Sequence, residues 1–180
     1  AGFEAASGNL NEKEQFLNQL QKQIPSPWGS VRLDAFTHHY ALEYMKKEHP
    51  SLIYISYGET DDFAHDGDYQ AYLKSAHNTD ALIKELWEFT QQDDFYKDQT
   101  VFLITTDHGR GTEPLDTWRS HGSQVNGAGQ VWFVVFGKEV TPLGEVAQEE
   151  QLYSNQIAPT ILQYMGIPLP MGIKGAPIKL

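Results

Sequence analysis

Apolar and polar positions alternate along this chain in two distinct rhythms. Between Asn9 and Gln23 the spacing is helical: Phe16, Leu17, Leu20 and Ile24 recur on one side, and Asn11 with Glu14 has the separation of a capping box. The run Pro25–Gly29 (PSPWG) breaks that helix. Asp34 is a residue type suited to capping a second helix that reaches about Glu48, with Tyr40, Ala41, Tyr44 and Met45 on one face and Pro50 beyond its end. The pattern then shortens. Leu52–Tyr57 (LIYISY), Val101–Thr105 (VFLIT) and Val131–Phe136 (VWFVVF) are brief β-prone runs that predict buried strands. Leu73, Ala76, Leu82, Leu86 and Phe89 mark an amphipathic helix from about Tyr69 to Gln91, and a last helix is expected over about Ser154 to Met165, stopped by Gly166.

Helices alternating with buried strands predict an α/β fold with a mostly parallel sheet flanked by helices. The expected organisation is a single domain over residues 1–180, with a helical lead-in over 1–50 and a core over 51–137. In such sheets ligands gather beyond the carboxyl ends of the strands, so the residues that follow each strand carry the functional question.

Composition narrows the answer. With 180 residues, 40% hydrophobic and 12% aromatic, the chain has the make-up of a globular domain. Lys and Arg number 13 against 24 Asp and Glu, a net charge of −11, which argues against charge-driven nucleic-acid binding. The acid excess reads first as a soluble surface and, more sharply, as a store of carboxylate metal ligands. There is no Cys, so disulfides and thiolate metal sites are excluded, and a periplasmic or secreted location is expected. No apolar run approaches the ~20 residues that cross a bilayer, and no segment has the pattern of a signal peptide. The chain begins with Ala1, which fits removal of an upstream segment.

Two strands lead straight into metal-ligand residue types. Gly58-Glu59-Thr60-Asp61-Asp62-Phe63-Ala64-His65-Asp66-Gly67 follows LIYISY, and Thr106-Asp107-His108-Gly109 follows VFLIT. A third cluster, Arg119-Ser120-His121-Gly122-Ser123-Gln124, precedes the third strand. Imidazole with carboxylate suits zinc, manganese or iron, and the supply of ligands exceeds what one tetrahedral zinc needs. Two neighbouring ions fit better. Spacing alone leaves Asp61 and Asp62 as competitors for one ligand role. Glu59 and Asp66 read as supporting or solvated groups, and His38, His39, His49 and His77 as ordinary helix histidines.

Asp-x-x-x-His, then Asp-His-Gly after a strand, then a later His-Gly, resembles the alkaline phosphatase superfamily of phosphatases, phosphodiesterases, sulfatases and cofactor-independent phosphoglycerate mutases. The resemblance covers about Leu52 to Phe136, and His-Gly-Ser-Gln is similar to the His-Thr-Gly-Ser-Gln of alkaline phosphatases. It implies that Asp61 (rather than Asp62), His65 and His121 hold one metal ion and that Asp107 and His108 hold a second. Zinc is the expected ion, with manganese the alternative. The implied reaction is metal-dependent hydrolysis of a small phosphate ester through a Ser or Thr nucleophile. The other readings are a phosphoglycerate mutase-like phosphotransferase, which favours manganese, and a non-catalytic module that keeps the fold. Arg110 and Arg119 flank the clusters as candidate phosphate contacts, with salt bridges to acids such as Glu113 or Asp116 as the alternative.

The superfamily also uses a nucleophile and a further Asp placed early in the catalytic domain, and residues 1–51 contain no match for either. The chain is therefore expected to be the carboxyl-terminal part of a larger enzyme, inactive alone, with its amino-terminal half as the missing partner. Apolar surface left open by that half is a route to self-association. Five positions before Asp61 stands Ser56, so no third, magnesium-binding Glu is implied.

Overall fold

The computed structural model describes residues 5, 9–29, 31–146 and 151–179. The chain divides into two compact units. One comprises the chain up to Lys97 together with Trp118–Ser120; the other comprises Asp98–Thr117 and the chain from His121 onward.

The first unit is helical. Helix α1 spans Glu12–Gln23 and starts with the capping box the sequence predicts: the Asn11 side chain accepts from Glu14 N–H at 2.8 Å, and Glu14 accepts from Asn11 N–H at 2.8 Å. Helix α2, Asp34–Glu48, buries Phe36, Leu42 and Met45, and Leu17 of α1 is buried as well. Glu43 is a buried acid on α2. Burial alone would raise its pKa, but hydrogen bonds from Lys46 and Asn11 and the charges of Lys46 and Lys13 outweigh it, so the carboxyl is held below its usual range.

Asp34 does something other than cap its own helix. The residue before α2, Leu33, makes no side-chain cap, and Asp34 is the first helical residue. Its carboxylate instead accepts from the backbone N–H of Gly58 at 2.7 Å and more loosely from that of Glu59 at 3.4 Å. Those groups open helix α3, Glu59–Asp66, which the sequence pattern did not predict as a helix. Glu59 answers by accepting from Asp34 N–H at 2.9 Å. Two helix starts are thus tied to each other through carboxylates, which satisfies amide groups that neither helix can satisfy internally.

Helix α3 ends at Gly67, whose φ of 78° lets its N–H reach Ala64 while Asp68 N–H returns to Phe63 at 3.0 Å. The long helix α4, Tyr69–Gln92, then begins with Asp68 accepting from Ala71 N–H at 2.9 Å.

Leu52–Tyr57 corrects the strand expectation. It is extended but joins no ladder among the described residues. Ile53, Ile55 and Tyr57 alternate inward while Leu52 and Tyr54 point out, Tyr54 to 85% exposure. The side-chain pattern is that of a strand; a strand also needs a neighbour to accept its amides.

The second unit holds the sheet, strands β1 (Val101–Thr105) and β2 (Phe133–Gly137), paired in register from Val101↔Gly137 to Thr105↔Phe133. The pairing is antiparallel, contrary to the mostly parallel sheet expected. Apolar runs report burial but not direction. Residues 106–132 between the strands hold turns and a short 3-10 helix, Leu115–Arg119, rather than the crossover helix that a parallel pair uses. The Phe102 and Phe136 rings stack across the pair at 5.2 Å, and Thr105 Oγ1 donates to Trp132 O at 2.7 Å. A 3-10 turn, Ser154–Gln156, leads into α5, Ile157–Tyr164, where Gly166 (φ 68°) ends the helical run as predicted. Tyr164 Oη donates to Lys138 O at 2.7 Å, tying α5 to the strand pair.

Candidate metal centre

Each unit carries part of the expected ligand set. In the first, Asp61 and His65 lie four residues apart on α3 and therefore on one helix face, with Asp61 Oδ1 3.5 Å from His65 Nε2. The neighbours that flank them are committed elsewhere: Glu59 binds Asp34 N–H, and Asp66 accepts from Trp28 Nε1 at 2.9 Å. The helix is also held at its far end. Arg119 Nη2 donates to the His65 carbonyl at 2.9 Å. The guanidinium packs over Gly67, where a Cβ would lie 2.7 Å from Arg119 Cζ. A cation against the C-terminal carbonyls of a helix is well placed for the helix dipole. Arg119, a candidate phosphate contact in the sequence, steadies the backbone of an expected ligand through its bond to the His65 carbonyl. Beside it Trp118 meets the rings of Tyr69 and Tyr72, at 5.3 and 5.9 Å.

In the second unit, Asp107 and His108 follow β1 directly. The Asp107 carboxylate accepts from His108 N–H at 2.9 Å, and its side chain is 83% exposed. His108 Nδ1 lies 3.0 Å from the Gly109 carbonyl. A carbonyl only accepts, so Nδ1 carries the proton, which leaves Nε2 as the ring nitrogen available to ligate a metal. His121 stacks on His108, ring centroids 3.7 Å apart and planes within 14°. Two imidazoles distant in sequence are thus brought face to face.

Glycines make this loop possible. Gly109 N–H donates to Ala128 O at 2.8 Å, and a Cβ on Gly109 would fall 2.3 Å from Gln130 O and 2.8 Å from Gly127 O. A Cβ on Gly127, at φ 90°, would fall 2.6 Å from Thr112 Cγ2 and 2.8 Å from Arg110 O, and Thr112 N–H donates to Asn126 O at 3.0 Å. The segment bearing Asp107 and His108 is therefore clamped to the turn after His121 by backbone contacts. Arg110 is half-buried within that clamp.

Sequence reasoning missed Asp34. It is 4% exposed, and burial pushes its pKa up to about 6 against the lowering effect of the Gly58 hydrogen bond, with Glu59 adding repulsion. Its only signal in the sequence was that of a helix cap, and the helix it caps is not its own.

A family model described as "Metalloenzyme superfamily" matches residues 5–169. Among curated proteins the chain is similar to the 2,3-bisphosphoglycerate-independent phosphoglycerate mutase of Onchocerca volvulus, 23% identical over 96% of this chain and 33% of that protein. It is similar to the enzymes of the same name from Brugia malayi (25% identical, 73% of this chain, 24% of that protein) and Gloeobacter violaceus (29% identical, 69% of this chain, 23% of that protein). The chain spans a third or less of the length of these relatives. No solved structure gives a significant match. With its motifs and nearly its whole described length inside the family model, the chain belongs to the metalloenzyme superfamily, the alkaline phosphatase-like group of metal-dependent enzymes.

Proposed function

We propose that this chain supplies the metal-ligating part of a phosphate-ester hydrolase, with Asp61, His65 and His121 assigned to one divalent cation and Asp107 and His108 to a second. The observation that carries the reading is the His108–His121 stack. The two imidazoles assigned to different ions are in ring contact, so ions bound to them would be neighbours, and His108 is held in the ligating tautomer. The donor set of three imidazoles and two carboxylates suits borderline divalent ions, with zinc the proposed occupant.

Divalent cations held there supply Lewis acidity and positive charge to a phosphoryl group. The protein's own contribution is placement. Asp34 and Arg119 hold the two ends of α3, which bears Asp61 and His65. The Gly109–Ala128 backbone bond holds the loop of Asp107 and His108. Asp107 and Asp61 bring negative charge that offsets bound cations, and the histidines are neutral donors. A Ser or Thr nucleophile belongs to this reading, and none of the 180 residues is assigned to it.

The names of the relatives, phosphoglycerate mutases, favour a second reading, mutase-like phosphotransfer, and manganese is the ion proposed under that reading. Metal analysis of the intact protein, followed by assays on p-nitrophenyl phosphate, its diester and 3-phosphoglycerate, separates the two. Zinc with ester turnover supports the hydrolase. Manganese with isomerisation of 3-phosphoglycerate supports the mutase-like reading. Full turnover on any of these substrates after exhaustive metal removal sinks both.

A further inference from the structure

Within the helical unit, a second cluster of ligand-type side chains lies apart from α3. His38 and His39 on α2 and Glu85 on α4 each offer one ligand atom, and these atoms all lie within 4.8 Å of one another. We propose that His38, His39 and Glu85 form a binding site for a divalent transition-metal ion, zinc in the first instance, that cross-links α2 to α4.

His38 has the surroundings of a ligand rather than of a surface histidine. It is 0% exposed, with Nδ1 3.0 Å from Tyr57 Oη and Nε2 3.2 Å from Glu85 Oε2. A tetrahedral ion with bonds near 2.0–2.1 Å sets its ligand atoms about 3.3 Å apart, close to the separation already present between His38 and Glu85. Tyr57 supplies the outer partner that fixes ring orientation in such sites. Burial and the Asp34 and Glu85 charges raise its pKa, so it stays a neutral phenol.

His39 provides the independent sign. Its Nδ1 is buried and has no hydrogen-bond partner, an arrangement that costs free energy unless something completes it. Its ring sits 5.1 Å from that of His38. Burial is also the first cause lowering the pKa of both imidazoles, which favours the neutral, ligating form. Glu85 reaches in from solvent, its side chain 49% exposed, so it has room to adjust and carries the charge that compensates a cation. Three protein ligands leave a fourth position for water. The site lies in a single unit and on helices other than α3, so it does not depend on the phosphate-ester reading.

The test uses protein carrying Asp61→Ala and Asp107→Ala, which weakens the other set. Zn²⁺ is titrated by competition with a chromophoric chelator, and thermal melts and histidine-selective NMR follow the site. The expected result is one zinc that perturbs the His38 and His39 rings and raises Tm. Adding His39→Ala or Glu85→Gln should lower zinc affinity at least tenfold and abolish the Tm rise. His38→Ala is avoided because that ring is fully buried. Zinc affinity unchanged within twofold by both added substitutions, or zinc that leaves the His38 and His39 resonances unmoved, overturns the proposal.

Discussion

The Asp34 carboxylate accepts a hydrogen bond from the Gly58 backbone N–H at 2.7 Å, and so one helix places its first side chain at the start of another. The helix it serves is α3, the carrier of Asp61 and His65. Asp34→Ala removes an acceptor for the Gly58 amide and breaks the reciprocal tie through Glu59, so it should destabilise the chain by about 1–3 kcal/mol. Asp34→Asn keeps a carbonyl oxygen for Gly58 and should cost less. Urea denaturation of the three proteins at about pH 4.5, below the folded-state pKa of about 6 so that no buried charge offsets the lost hydrogen bond, checks the ranking; equal midpoints there for Asp34→Ala and the parent would remove Asp34 from this role.

The same carboxyl gives a pH dependence. Burial raises its pKa from 3.8 to about 6. Between those values the unfolded chain has released this proton while the folded chain retains it. Folding takes up a proton in that window, so the group's contribution to stability is greatest below 3.8 and is lost as pH rises through about 6. The displacement corresponds to roughly 3 kcal/mol. Between pH 4 and pH 7 the metal-free parent should therefore lose more stability than Asp34→Asn, by that order. Parallel stability curves for the two proteins would show that the carboxyl titrates normally.

Most helices were legible because their signals are local. The Asn11–Glu14 box, the apolar spacing of α4 and the stop at Gly166 depend on residues within a few positions of one another. Strand direction and pairing depend on partners far along the chain, which is why VFLIT and VWFVVF were visible as strands while their antiparallel pairing was not. The short helix α3 was hidden by its polar composition and by a cap donated from Asp34, outside any local window. The ligand candidates were visible as residue types, Asp107 and His108 after a strand, Asp61 and His65 after an extended run expected to be one, and His121 in the polar stretch before the next strand. The His108–His121 contact was not, because it rests on backbone clamping by Gly109 and Gly127 rather than on any periodic pattern.

That clamp is open to a direct test. A methyl at Gly109 would meet Gln130 O at 2.3 Å, so Gly109→Ala forces the two backbone segments apart. The expected cost is about 1–3 kcal/mol. Under the proposed function, metal affinity should fall as well, because His108 moves with the loop. Gly129→Ala is the control, since a Cβ there meets nothing within 4 Å. Comparable melting temperatures for the two variants would show that the loop yields without strain.

Under the same proposal, Asp61→Ala and Asp107→Ala in the intact protein should each remove bound metal and lower turnover by at least a hundredfold while leaving the far-ultraviolet circular dichroism spectrum intact. A module that keeps the fold without catalysis predicts no functional change in either variant. Metal content and kcat measured on the same preparations decide between them.

Arg119 separates a positioning role from a phosphate-binding one. Its guanidinium donates to the His65 carbonyl and covers Gly67, contacts that exist without substrate. Replacing it with Ala strips a cation from the C-terminal end of α3 and should destabilise the chain by about 0.5–1.5 kcal/mol, with a loss of metal affinity through His65. Arg119→Lys keeps the charge but not the fork, so it should recover part of the stability. A residue used only to grip phosphate would show the opposite pattern: unchanged stability and metal content, with a raised KM. Thermal melts, metal titration and substrate saturation curves on the two variants therefore distinguish the roles, and an unchanged melting temperature in Arg119→Ala would return Arg119 to the substrate.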